Sequence, residues 1–235
     1  MPPARLVFYA LTFVAMAVSA RAFMGEPPTV GFVAAFFAAY MAVLMSGIFV
    51  LRLRVFVDAM IRGPRGAKGV VLTFDDGPDP TTTPRALDAL DAAGAKATFF
   101  VIGKKAEAHP DVGREIVARG HAVGLHSYAH DRLFAMRGAR VWRKDLRRAA
   151  KVVEGIVGAR VRIFRPPIGH TVPHTPRVLR ALGLRVIGWS VGARDGIRAE
   201  PEDVARRVLD AARDGDIVLL HDASERGTHE PAGVA

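Results

Sequence analysis

No cysteine occurs in the 235 residues, which excludes disulfides, thiol nucleophiles and thiolate-bound zinc and leaves the redox compartment open. Aromatic residues are sparse, at 8%, and they are not interleaved with the basic ones. The net charge of +10 therefore does not mark a nucleic-acid surface, and no nucleic-acid partner is expected. Half of that excess lies in residues 1–68, which carry seven Lys/Arg against two acids. Positive charge placed so is the usual flank of apolar, membrane-facing segments. Elsewhere the composition, 50% hydrophobic and 24% charged, is that of a folding chain.

Charge is absent altogether from Thr29 to Leu51. At about 1.5 Å per residue this run is long enough to cross a ~30 Å hydrocarbon core, and Arg52 and Arg54 follow at once. An earlier apolar run from Leu6 stops at Arg21 and reads either as a second span or as a signal-like segment. Gly25-Glu26-Pro27-Pro28 suits a tight loop between two helices better than a cleavage site. The expectation is a membrane anchor over residues 1–57, with spans at about 6–24 and 29–51, a linker over 58–68 and a globular domain over 69–235. The lipid bilayer is thus an expected partner. A hairpin of two spans puts that domain on the side of the N terminus, where the basic residues favour the cytoplasmic face; a single span puts it on the other side.

Beyond residue 69, short β-branched runs alternate with amphipathic ones. Strands are expected at 70–74, 97–102, 121–125, 162–165, 185–191 and 216–220, and helices at 84–93, 111–119, 139–157, 175–182 and 202–213. In the longest helix Val141, Leu146, Ala149, Val153 and Ile156 are expected to face inward. Such alternation argues for an α/β fold with parallel strands. A closed barrel needs one more helix and strand than the sequence supplies, so the first or the sixth strand is expected to keep an unpaired edge.

Four of these strands end in residues that carry chemistry. Asp75-Asp76 closes the first, ahead of a Gly-Pro turn. By itself the pair is better read as the opening of a turn. Neighbouring strand residues point to opposite sides, so one carboxylate could bind a metal while the other handles a proton. His126-x3-His130 follows the third strand, and a helical turn there would bring both imidazoles to one face. With a strand-end Asp, two nitrogens and one oxygen leave room for water and substrate, as catalytic zinc sites do. Arg165-Pro166-Pro167-Ile168-Gly169 ends the fourth strand in a rigid turn, and Leu219-Leu220-His221-Asp222 ends the sixth. Each motif alone has an ordinary structural explanation. Together, in this order and at one end of a parallel sheet, they describe a site.

In that order and placement the chain, over about residues 68–222, resembles the polysaccharide deacetylases of the NodB-homology type, carbohydrate esterase family four. The resemblance implies a distorted (β/α) barrel, here apparently without its last strand, and metal-dependent removal of N-acetyl groups from amino sugars. It implies Asp75 as catalytic base, Arg165 as the arginine that orients it, and His221 as catalytic acid, with Asp195 as the carboxylate that positions the acid. Asp76, His126 and His130 become the ligands of a divalent metal, expected to be Zn2+. Leu219 is implied to line a pocket for the acetyl methyl, and the Ile168 N–H is a candidate donor to the oxyanion. The chain departs from the family in two places. Ile168 stands where an aromatic residue is usual, and Gly196 stands where a tryptophan is usual, with Gly192 in place of a frequent acid. Trp189 either compensates as part of the substrate wall or belongs to the core. These departures remove aromatic surface from a glycan groove, so the expected substrate is an N-acylated sugar or glycan, the alternative being a lipid-linked sugar that is deacetylated or deformylated. From another class, a non-catalytic glycan-binding module would be signalled by loss of a ligand or of the acid, and none is lost.

Overall fold

The computed structural model describes residues 1–196 and 200–224. Two helices open the chain, α1 (Pro3–Phe23) and α2 (Val30–Phe49), and the Thr29 hydroxyl caps α2 by accepting the Phe32 N–H at 3.3 Å. Both are long and apolar enough to cross a membrane. α1 buries no residue and α2 buries only Gly47, so Phe13, Phe23, Phe32 and Phe37 stand exposed. The helices pair as a hairpin, and the Arg5 guanidinium near the start of α1 donates to the Arg54 and Val55 carbonyls just beyond α2.

The remainder runs β1 (Val71–Asp75), α3 (Thr82–Ala92), β2 (Ala97–Val101), α4 (Gly103–Ala108), α5 (Pro110–Ala118), β3 (Ala122–Leu125), α6 (Ala139–Val157), β4 (Ile163–Phe164), α7 (Thr175–Leu182), β5 (Arg185–Val186), β6 (Val191–Gly192), α8 (Pro201–Ala211) and β7 (Ile217–His221). All strands pair in parallel, in the order β5-β4-β3-β2-β1-β7-β6. The expected strand at 185–191 is in fact two short strands at opposite edges of the sheet. Only residues 187–190 separate them, and this bent segment reaches both edges: Ile187 N–H donates to Phe164 O and Ser190 N–H to Ile217 O, each at 3.0 Å. The sheet therefore curls into an incomplete barrel. The expectation of an unpaired edge on the first or sixth strand is overturned. β1 lies between β2 and β7, and β7 lies between β1 and β6.

Register sorts the side chains. Thr73 and Asp75 of β1 sit opposite Leu219 and His221 of β7 and opposite Thr98 and Phe100 of β2, so these residues share the inner face. Phe74 and Phe99 take the other face, stacked 5.1 Å apart beneath the helices. On α6 the buried residues are Trp142, Leu146, Ala149 and Val153. Val141 is exposed instead, because Trp142 satisfies the same 4-3-4 spacing and its indole N–H finds the Phe134 carbonyl at 2.7 Å. Residues expected to end the anchor and form a linker also enter this core: Leu51, Val55, Phe56, Val57 and Ala59 are buried in it. Met60 bonds to both Val186 and Gly188 across the bent segment.

Candidate active site

At the carboxyl ends of the strands opens a cavity of about 340 Å³, lined among others by Asp75, Asp76, His126, His130, Leu219 and His221. Each residue arrives there by local geometry. Asp75 is the last residue of β1 and keeps the inner face. Asp76 would point away if the strand continued, but its φ of 73° puts it in the left-handed region and swings the carboxylate round. Its Oδ1 lies 3.4 Å from His126 Nε2 and 3.3 Å from His130 Nε2.

The His-x3-His segment is not helical, contrary to the expectation. It is a loop with left-handed residues at Ser127 and His130, closed by the Ser127 hydroxyl, which accepts the His130 N–H at 2.9 Å. The turn achieves the same convergence, with the two Nε2 atoms 3.2 Å apart. His126 Nδ1 lies 2.8 Å from the Arg165 carbonyl. That carbonyl can only accept, so Nδ1 carries the proton and Nε2 presents a lone pair, as in metal-ligating histidines.

Asp76, His126 and His130 offer three ligand atoms within 4.8 Å of one another, all buried. Asp76 Oδ1 is buried without a well-formed hydrogen bond, which is costly unless a cation occupies the space between the three groups. Charge tells the same story. Burial, the largest influence, opposes ionisation of Asp76, yet the closeness of His126 and the charges of His130 and His221 outweigh it and hold the carboxyl well below the usual range. Burial likewise opposes protonation of His126, and the charge of Asp75 with the bond and charge from Asp76 overcome it. The cluster draws positive charge, and the donor set fits a divalent metal.

On one side of the cluster stands Arg165, fully buried. Its Nη1 donates to Asp75 Oδ1 at 2.7 Å and to Thr73 Oγ1 at 2.9 Å, and its Nη2 donates to Gly188 O at 2.9 Å. The guanidinium lies over the Phe100 ring, 4.2 Å from its centre. A buried charge needs such complete satisfaction, and the result is a carboxylate locked in one orientation. On the other side Asp195, also fully buried, takes both bonds that His221 can give it: Oδ1 lies 2.8 Å from Nδ1 and Oδ2 accepts the backbone N–H at 2.7 Å. Burial pushes the His221 imidazole down, but the bond and charge of Asp195, with the charges of Asp75 and Asp76, raise its pKa to about 9.

All ten residues expected from the sequence are brought to this region. Ile168, Trp189 and Leu219 line the cavity wall; Trp189 packs so closely over Gly169, itself at φ 76°, that a Cβ there would meet the indole at 2.7 Å. Four further residues went unread. Thr73 bonds Arg165, Lys105 Nζ donates to the Asp76 and Ser224 carbonyls at 2.7 and 2.6 Å, and Arg132 lines the cavity rim. Asp222 is buried beneath the Asp pair, where its Oδ2 accepts the Thr83 hydroxyl at 2.5 Å. Burial, reinforced by the charge of Asp76, pushes its carboxyl up to about 7 against the Thr83 bond and the Lys105 charge. Gly77 is the one signal that could have found Asp222: any Cβ at 77 would lie 2.1 Å from its carboxylate. The polar loop expected from Asp222 to Pro231 lies outside the described residues beyond Ser224.

A family model described as polysaccharide deacetylase matches residues 62–187. A chitooligosaccharide deacetylase of Azorhizobium caulinodans is 39% identical over 154 residues, 65% of this chain and 73% of its own length. A peptidoglycan-N-acetylglucosamine deacetylase of Bacillus cereus is 31% identical over 159 residues, 68% of this chain and 58% of the relative. Among solved structures, a Bacillus anthracis protein described as a CE4 family pseudoenzyme superposes with a TM-score of 0.67 at 28% identity, covering 74% of this chain and 62% of that one.

Proposed function

The chain belongs to the polysaccharide deacetylase family, and on that premise we propose that it is a metal-dependent hydrolase removing N-acetyl groups from the amino sugars of a glycan. One observation carries the reading. The buried Asp76–His126–His130 cluster lies between a carboxylate fixed by arginine and an imidazole fixed by aspartate, all on one cavity. Relatives named for chitooligosaccharide and peptidoglycan deacetylation support the substrate class. One solved neighbour is described as a pseudoenzyme, so it is the intact set of residues here that supports activity.

Asp76, His126 and His130 would hold the ion, and two nitrogens with one oxygen are donors that suit zinc. Bound there, a divalent ion would supply Lewis acidity towards an amide carbonyl and lower the pKa of water. Asp75 accepts the proton of the attacking water; Arg165 occupies its Oδ1, which leaves Oδ2 for that task. The Ile168 N–H donates to the oxyanion that develops on the acyl carbon, and Leu219 borders the acetyl methyl. Protonated His221, oriented through Nδ1 by Asp195, gives the Nε2 proton to the amine nitrogen as the C–N bond breaks. Water thus delivers hydroxyl to carbon and, once the proton held by Asp75 replaces the one His221 gave up, a proton to nitrogen; acetic acid and a free amine are formed, and the proton passes between them as acetate and ammonium leave. Trp189 forms one wall for the sugar.

The two N-terminal helices we read as a membrane hairpin that carries the catalytic domain, whose core already takes in Leu51 to Ala59, on the same side as the N terminus. The exposed apolar faces of α1 and α2, and the Arg5 bonds to the end of α2, support it. Asp75→Asn tests the chemistry: amine release from N-acetyl amino sugars should fall by about 10²-fold or more, with metal content and fold unchanged. Full activity in that variant would sink the mechanism.

A further inference from the structure

The catalytic cavity continues towards the membrane end of α2. A second cavity of about 120 Å³ is lined by Phe49, Val50, Leu51 and Arg52 on one side and by Ile168, Gly169 and Trp189 on the other. Those last three residues also line the catalytic cavity. The turn that follows Arg165, together with Trp189, is therefore common to both cavities, and it is bonded to that helix. Thr171 N–H donates to Ile48 O at 3.2 Å, its hydroxyl donates to Gly47 O at 3.3 Å, and His170 packs edge-on against Phe49 at 4.9 Å. Carbonyls left over at a helix end are thus satisfied by the active-site loop itself, which fixes the distance from site to bilayer.

The surface along this path exposes aliphatic as well as aromatic side chains. Ile168 is 48% exposed, Phe49 57% and Val50 43%. Ile168 holds this position at φ 58°, a costly conformation for a β-branched residue that persists only where its surroundings enforce it. At the far end the exposed Arg52 has no ion pair among the described residues. A guanidinium beside an apolar strip, at the end of an apolar helix, matches a phosphate joined to a lipid chain.

We propose that the substrate is an N-acyl amino sugar carried on a lipid phosphate, with the sugar in the catalytic cavity, the phosphate at Arg52 and the lipid leaving over Phe49 and Val50 along α2. This rests on the reading of the site as an N-deacylase and names the class of molecule it serves. The test uses the full chain in mixed micelles, with polyprenyl-phosphate-linked N-acetylglucosamine and N-acetylated chitotetraose as the two substrates. The wild type should favour the lipid-linked sugar in kcat/KM by at least about tenfold, and Arg52→Glu should shrink that preference about tenfold, through KM, the scale of one charge-assisted contact. Preference for the chitotetraose, or an Arg52→Glu effect equal on both substrates, overturns the proposal. Binding of fluorescent polyprenyl phosphate, weakened by Arg52→Glu, is measured alongside. Retained, Arg52-dependent binding without amine release from either substrate rejects the N-deacylase reading but keeps the lipid seat, whereas absence of both rejects the two together.

Discussion

Five of the six non-glycine residues with left-handed backbone among the described residues are Asp76, Ser127, His130, Ile168 and Arg194, and all lie in the loops around the site. Strain of this kind, of order 1 kcal/mol per residue, collects where side chains must be aimed against the run of the chain. The adjacency of Asp75 and Asp76 at a strand end allowed two separate jobs and the resemblance assigned them, while the left-handed turn that directs the second carboxylate left no mark in the sequence. Asp195 came from the resemblance alone, because nothing in a sequence sets the distance between positions 195 and 221. In the structure it makes both bonds to His221. Its effect can be measured. The proton His221 donates is present below its raised pKa of about 9 and lost above it, so kcat/KM should fall on the alkaline side. A bound divalent cation pulls that limb downward from 9. Asp195→Asn removes the largest opposing influence to burial, so the limb should move a further pH unit or more to lower pH; an unmoved limb would show that another group titrates. Gly77→Ala drives a methyl into the Asp222 carboxylate. The variant should lose about 2 kcal/mol or more in denaturant unfolding, and an unchanged midpoint would contradict the packing described beneath the Asp pair.

At the scale of elements, β1, β2, β3, β4 and β7 were legible from short apolar runs bounded by turn residues. The two-residue strands β5 and β6 were merged into one, since Val186, Ile187, Trp189 and Val191 read as a single mostly apolar run in which only Gly188 marks the place where the chain changes edges. The six-residue α4 went unread because it opens on Gly103 and is too short for a periodic pattern. Less legible still was the stretch after α2, where basic residues among the apolar ones suggested membrane flank and linker. Leu51, Val55, Phe56 and Val57 are instead part of the domain's core. Removing residues 1–50 should therefore leave a stable domain, while removing 1–57 should cost about 6 kcal/mol or more, taking ~1.5–3 kcal/mol for each of these four buried side chains. Equal urea midpoints for the two truncations would contradict this placement.

For the molecule as a whole, a curled parallel sheet collects the carboxyl ends of its strands round one cavity, and a hairpin of exposed apolar helices is tied by hydrogen bonds to the loop on that cavity's rim. Order of motifs along the chain was enough to foresee the first arrangement, since each motif ends a strand. The second depends on Thr171 meeting the end of α2, more than a hundred residues away, and no local pattern encodes it. Everything proposed for the site depends on the ion cluster, and metal content and amine release measured on one preparation, using N-acetyl amino sugar substrates, test it most directly. One divalent ion per chain is expected, lost in His126→Ala and His130→Ala, with amine release that a chelator abolishes and added zinc restores. Amine release indifferent to the chelator, or a fully metal-loaded protein that releases no amine from any N-acyl sugar, would contradict it.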